Sequence, residues 1–371
     1  MSEPASETEG ETITIHELLE RSAESALELQ REDGSFPPGR NYTYDEPETP
    51  VRTTSHWTVT ISEVYDITGE EKYREAAEAA VDYLLTDDVR PDGYTFHCRD
   101  APGKDRCNGL VGQATPIRAL SHAGPILERD DAIRAAEEVF ELHPFDDRIG
   151  LWERVEIDGT KLSFDRTLNH QILFAAACRK ISAESELVTD VLRTFLDNLA
   201  SNMRFHSDGI IKHYVRPSPI KSLNAFLRER RHWQLILNEF AYHYYSYKDE
   251  RKRKEVGYQP VNLRGLAQLK AYYPDHSVWK QALFNSKLNI PEVQRCNAVD
   301  YGSVIPGISF AWASLQFNQD EEQAAAFIQE DLVQRLDPRE FQLTSGEVDS
   351  IDQSSAISFL VDLPNLNVRY K

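Results

Sequence analysis

The residues best equipped for chemistry lie in the stretch GLWERVEIDGTKLSFDRTLNHQ, positions 150–171. Asp165, Arg166, Asn169 and His170 place an acid, a cation, an amide and an imidazole within two turns of chain, and Glu153 and Arg154 stand just upstream. An imidazole and a carboxylate within reach of one substrate can move protons to and from carbon or oxygen. Guanidinium groups, with their planar fork of donors, hold a carboxylate in two places. Asp165 also has the plainer reading of a helix N-cap. Its company argues for a site, because few helices spend so many polar groups on their opening turns unless those turns face a cleft. Asp165, His170, His97 and Glu153 are the candidate catalytic residues. Trp57, Arg106, Asn108, Gln113, Arg154, Arg166, Asn169 and Tyr214 are the candidate substrate-binding residues.

Such groups need a scaffold. The alternation through Leu151, Val155 and Ile157, followed by Asp158-Gly159 and a second extended piece, predicts a β-hairpin. It feeds a helix from Asp165 into the apolar run Ile172 to Ala177. Helical spacing predicts earlier helices over 13–30, 53–69, 70–85, 108–124 and 130–142, a seventh helix starting near Ser182, and later ones over 233–247, 261–273, 277–286, 302–316 and 320–336. Asp208-Gly209 marks another turn, 221–231 reads as a basic connector, and 248–255 as a solvated helix end. In each early pair one helix is amphipathic, while its partner is small, apolar and polar at its start. That rhythm fits an all-α (α/α) toroid, whose inner helices are buried all round and point their leading turns into a central cup. Such a cup would also draw on Asp33, His56, Arg99, Asp100, His213, Arg216 and Tyr301. The expected organisation is a disordered acidic N-terminus over 1–12 and a single toroid domain over 13–371, with small hairpin insertions.

Composition narrows the class. The 371 residues carry 61 acids against 41 bases, a net charge of −20, and the bases are 28 Arg and 13 Lys. An acidic, Lys-poor surface suits a protein hydrated in concentrated salt, where a short Debye length damps self-repulsion. It leaves no basic field for nucleic acid. Four scattered cysteines (Cys98, Cys107, Cys178, Cys296) are too few for a disulfide framework, although Cys98 and Cys107 could pair. No CxxC or HExxH spacing supports a metal. The sequence shows no signal peptide and no apolar run long enough to span a bilayer, so a cytoplasmic location is expected. No dinucleotide fingerprint, P-loop or nucleophile elbow is present, and no cofactor is expected.

Three segments carry a family likeness: CNGLVGQATPIRAL (Cys107–Leu120), HPFDDRIGLWERVEIDGT (His143–Thr160) and FDRTLNHQILFAAA (Phe164–Ala177). They resemble the AglQ family of the archaeal N-glycosylation gene clusters, best known from haloarchaea, and the likeness runs from the DGSF loop to Tyr273–His276. The resemblance implies a six-hairpin, glycosidase-like (α/α)6 toroid and a role in making the N-linked glycan of surface-layer glycoprotein. It also implies a substrate containing a hexuronic acid, whether free, nucleotide-linked or lipid-linked, and it allows peripheral contact with membrane-bound glycosylation machinery. It assigns no catalytic residue. Isomerisation or epimerisation needs proton shuttles and cations to steady an enolate-like intermediate; His170 with His97 or Asp165, and Arg154 with Arg166, would supply them. Hydrolysis instead needs two facing carboxyl groups, such as Asp165 with Glu153 or Asp100. The surplus of His and Arg over paired acids favours proton transfer. A non-catalytic glycan-binding subunit is the third class.

Overall fold

The computed structural model describes residues 11–41, 46–183, 185–237, 244, 249–281, 305–344 and 354–370. In chain order the helices are α1 (Ile15–Leu27), α2 (Val51–Thr68), α3 (Glu71–Leu84), α4 (Gly109–Ile126), α5 (Asp130–Leu142) and α6 (Leu168–Ala177). They continue with α7 (Glu186–Asn202), α8 (Pro219–Arg228), α9 (Asp249–Tyr272), α10 (Pro306–Ala313) and α11 (Glu321–Arg335). Helices α2, α4, α6, α9 and α10 pack side by side in that order as an inner layer. The remaining long helices lie outside, α3 against α2, α5 against α4 and α11 against α10.

The two layers follow from their sequences. On α5 only Ala132, Ala135, Ala136, Val139 and Phe140 are buried, one stripe facing α4. Inner α4 and α6 are buried on nearly every side. Small residues let the layers close: a Cβ on Gly124 of α4 would meet Ile133 of α5 at 2.6 Å. Each large side chain buried between the layers contributes about 1.5–3 kcal/mol.

The expected hairpin is present. Leu151–Val155 pairs with Lys161–Phe164 in antiparallel register, and Phe145–Asp146 adds a third strand. Its turn falls at Asp158-Gly159, where Gly159 takes a φ of +81° and the Asp158 carboxylate accepts the Thr160 N–H. At the chain ends, Thr12–Thr14 pairs with Asn367–Arg369. Thr12, the last residue of the stretch expected to be disordered, therefore sits in a strand.

Several elements differ from expectation. Helix α6 begins at Leu168, so Asp165 does not cap it; Asp165 lies on the bend between hairpin and helix, and Thr167 is the N-cap. The basic connector is largely α8, whose Ser218 hydroxyl caps it and whose Pro219 opens it. The charged run read as a solvated helix end is the first part of α9, and its Glu255 is buried. Of the helix expected over 277–286, the described part is a short 3₁₀ turn, Ser277–Lys280. Cys98, Cys107 and Cys178 are buried and free, so Cys98 and Cys107 do not pair. Tyr301, Cys296 and, of the helix expected over 233–247, residues 238–243 and 245–247 lie outside the described residues. Among the described residues no helix is long and apolar enough to cross a membrane.

Candidate active site

The inner helices surround a cavity of about 360 Å³. Helix α2 brings Arg52 and His56 to it, α4 brings Thr115 and Arg118, and α6 brings Asn169 and His170. His213 and Tyr214 enter from the connection after α7; Lys254, Tyr258, Arg264 and Gln268 enter from α9; and Phe359 enters from the C-terminal segment. Among the described residues no group of three or more His, Cys, Asp or Glu is placed to hold a metal ion.

His170 is held by Asp165. Its Nδ1 lies 2.8 Å from Asp165 Oδ2, and the imidazole is 26% exposed whereas the carboxylate is buried. Burial alone would raise the Asp165 pKa. The charge and hydrogen bond of His170, the nearby Arg154 and the Thr167 N–H outweigh burial and hold it well below the usual carboxylate range. An ionised Asp165 takes the Nδ1 proton in a hydrogen bond and turns Nε2 into the basic nitrogen facing the cavity. Asp165 also accepts the Leu110 N–H at 3.2 Å, which is possible because Asn108 and Gly109 both adopt left-handed φ (55° and 58°). A Cβ at Gly109 would stand 2.6 Å from Asp165 Oδ2, so glycine is required there for space as well as for φ.

A second imidazole faces the same space. The His213 backbone is clamped at both ends: its N–H donates to Glu255 and its carbonyl accepts the Leu168 N–H. Its ring packs against Tyr214 and Tyr258, and Nδ1 is buried with no hydrogen-bond partner. Burial, then the charges of Lys254, His170 and Arg251, push its pKa well below the ordinary value, so the ring is neutral. The buried Asn169 Oδ1 is likewise unpartnered. Both are buried polar atoms left without a hydrogen-bond partner.

The floor is cationic. Arg118 donates to the Ser358 hydroxyl and carbonyl, while Arg264 lies over the Phe359 ring at 3.4 Å, with its Nε buried and unpartnered. Burial, with the other nearby guanidiniums adding, pushes the Arg118 pKa down to about 10 and that of Arg264 to about 9. An arginine remains charged even so, and among the described residues neither makes a salt bridge. His56 sits beside them, bonded to Ser358, its pKa lowered by burial and by Arg52, Arg118 and Arg264. The one carboxylate lining the described wall, Glu48, is held by Arg52 with two contacts of 3.0 Å.

Of the residues singled out from sequence, Asn108, Asn169, His170 and Tyr214 line the cavity, with Asp165 directly behind His170. His56, Arg99 and His213 from the wider cup line it too. The others stand elsewhere. Trp57 is fully buried against Phe36, a core residue rather than a platform. Gln113 is also core: its amide holds the Phe96 backbone and the Cys107 carbonyl. Glu153 is engaged by Arg231 (2.7 Å) and His232 (3.3 Å), and burial raises its pKa despite Arg231. Arg154 is paired with Asp105 at 2.9 Å. His97 sits between Asp100 and Arg106, outside the lining. Arg166 reaches the Gln234 carbonyl and lies 5.8 Å from the Tyr214 ring. Asp33 caps its own turn through the Ser35 N–H. Arg118, Arg264, Lys254 and Tyr258 were not singled out. The readable signal was a lone arginine inside a run of small apolar residues, as in TPIRAL and NLRGLA.

No protein-family model matches the chain. It is 37% identical over 347 residues to archaeal glycosylation protein Q of Haloferax volcanii, covering 91% of this chain and 94% of that protein. The chain belongs to the AglQ family. The family's fold is that of known structures far removed in sequence. A D-mannose isomerase superposes with a TM-score of 0.62 at 15% identity, over 97% of this chain and 98% of that one. The cellobiose 2-epimerase of Bacillus thermoamylovorans B4167 gives 0.61 at 10%, over 93% and 97%. An unsaturated glucuronyl hydrolase specific for heparin gives 0.55 at 12%, over 92% and 96%. This AglQ-family chain is thus an (α/α)6 toroid of the six-hairpin glycosidase type.

Proposed function

We propose that the protein is a sugar-processing enzyme of archaeal N-glycan biosynthesis that isomerises or epimerises a hexuronic acid by proton transfer. The observation that carries this reading is the pairing, in one cavity, of two imidazoles with a floor of arginines that have no carboxylate partner among the described residues. Arg118 and Arg264 present a fixed positive field where a sugar carboxylate would be held. His170, with Nε2 directed by Asp165, removes the proton from the carbon next to a carbonyl or carboxylate, and the neutral His213 stands as the second carrier. The guanidiniums and Lys254 steady the negative charge that builds on oxygen as the C–H bond breaks. Membership of the AglQ family supports the pathway, and the isomerase and epimerase among the structural neighbours show that the fold accommodates such chemistry.

Hydrolysis by paired carboxylates fits less well. Asp165 is ionised and shielded behind His170, and Glu153 is taken up by Arg231 and His232. The test is incubation in molar salt and D2O with hexuronic acids in free, nucleotide-linked and lipid-linked form, followed by NMR. Deuterium entering a sugar carbon with the glycosidic linkage intact is the expected result. Release of a reducing sugar without carbon-bound deuterium would overturn the proposal in favour of hydrolysis.

A further inference from the structure

The connections from outer to inner helices lie at the end of the ring where the inner helices begin, and near that end Arg52, Asn108 and His170 line the cavity. One of them follows Asn202, the end of α7, and its described part contains α8. Only Ser222 and Ala225 of α8 are buried. Ile220, Leu223 and Leu227, at spacings of three and four, form one stripe that is 73%, 49% and 60% exposed, and Trp233 and Leu237 beyond the following turn are exposed as well. A contiguous apolar face in water marks a surface that something else covers.

Charge indicates what covers it. The chain carries a net charge of −20, yet between Pro219 and Leu237 stand Lys221, Arg228, Arg230 and Arg231 against a single acid, Glu229, with Arg231 alone drawn inward to Glu153 as well as to Glu229. Beside the stripe is a depression of about 350 Å³ lined by Arg148, Lys221 and Arg228 together with Asn224 and Leu227. Arg228 reaches Asp146 at 2.6 Å and Lys221 reaches Asn198 at 3.0 Å. Among the described residues Arg148 and Arg230 have no carboxylate partner. A symmetric pairing of two copies through this face would set like cations against each other. An apolar stripe flanked by cations, on a helix lying at the surface, is instead what an anionic bilayer attracts.

We propose that α8 and the turn after it dock the protein on an anionic lipid surface, with the cavity mouth turned towards the membrane. Ile220, Leu223 and Leu227 enter the boundary between headgroups and chains, and Arg148, Lys221 and Arg230 face the lipid phosphates. A sugar carried on a lipid would then reach the cavity without leaving the bilayer surface.

The experiment is flotation of the full-length protein with vesicles of phosphatidylglycerol or of phosphatidylcholine, across a series of KCl concentrations. The wild type is expected to float with phosphatidylglycerol several-fold more than with phosphatidylcholine, and the difference should widen as salt is lowered. Leu223→Asp with Leu227→Asp should cut the bound fraction about tenfold or more, with circular dichroism and turnover of a water-soluble substrate unchanged. Arg148→Glu with Lys221→Glu should narrow the preference between the two lipids. Failure of the wild type to float with either vesicle would overturn the proposal. So would a dimer, seen by light scattering, that the leucine double variant turns into a monomer while vesicle binding stays absent. Vesicle binding is read without turnover, so its failure is distinct from failure of the proposed reaction.

Discussion

Two walls of one cavity treat charge in opposite ways. On the hairpin side charges stand in pairs: Asp165 with His170, Arg154 and Arg99 with Asp105, and, across the way, Arg52 with Glu48. On the floor Arg118 and Arg264 have aromatic and hydroxyl neighbours and, among the described residues, no carboxylate partner. Paired charges satisfy each other, and what they provide is position. Unpaired buried charges keep their field for whatever enters, at the expense of stability while the cavity is empty. The first wall is built for orientation and the second for binding.

Substitutions on each wall should separate these roles. His170→Asn, on the orienting wall, should lower kcat by about 10²–10⁴ and, by taking the imidazole away from the buried Asp165 carboxylate, lower thermal stability too, as measured by turnover and by calorimetry. Asp165→Asn should lower both. Removing one partner of a buried pair costs about 3–5 kcal/mol, and roughly 2–3 is expected here because His170 is partly exposed. Because the folded pKa of Asp165 is depressed, its stabilisation is present above the unfolded carboxylate value. The stability gap between wild type and Asp165→Asn should therefore shrink as pH falls below about 4. On the binding wall the signs should part. Arg264→Met should raise KM for a uronic acid about tenfold or more, yet increase stability by about 1–3 kcal/mol in denaturant titration. A loss of stability there would break the contrast between the walls.

The smallest effect on activity should come from Asp331→Asn, on outer helix α11 and outside the cavity lining. Asp331 is buried beneath Gly307 and accepts the Ile308 N–H at 2.8 Å; burial pushes its pKa up to about 7. A carboxyl with a raised folded pKa favours the native state while protonated, so that preference fades as pH rises from about 4 through 7. Asp331→Asn should flatten this part of the stability-versus-pH curve, with turnover unchanged. A fall in turnover would show that the outer layer reaches into the cavity.

Much of the orienting wall was legible in the sequence because its signals are local. Asp158-Gly159 fixes a turn, alternation fixes the hairpin, and Asp165 and His170 are close enough along the chain to meet in any helix-like bend. The boundaries of α5 could be read because a single apolar stripe ends cleanly at both ends. The binding wall was not legible. Arg118 and Arg264 sit on helices that are buried all round, so no polar face distinguishes inward from outward, and their direction is settled only when the ring closes. Trp57 was misplaced for the same reason: a tryptophan near the start of an inner helix can face the cavity or the outer layer, and it faces Phe36. The run 248–255 misled because its many cations suggest solvent, whereas Glu255 among them is the buried anchor for His206 and for the His213 N–H.

The pairing of Thr12–Thr14 with Asn367–Arg369, extended by the bond from the Tyr370 N–H to the Glu11 carbonyl, gives the ring a seam. Topologically the protein is a bracelet with a clasp. Residues 12 and 369 are cross-strand neighbours, so a few added residues could join them, and the ring could be cut anew at an exposed bend such as Asp92-Gly93 with its order of helices intact. The same clasp means that the first and last helices depend on contacts made between opposite ends of the chain. The ring can shut only when both strands of the clasp are present, and the cavity, whose lining includes Phe359 from the segment before the second strand, shares that dependence.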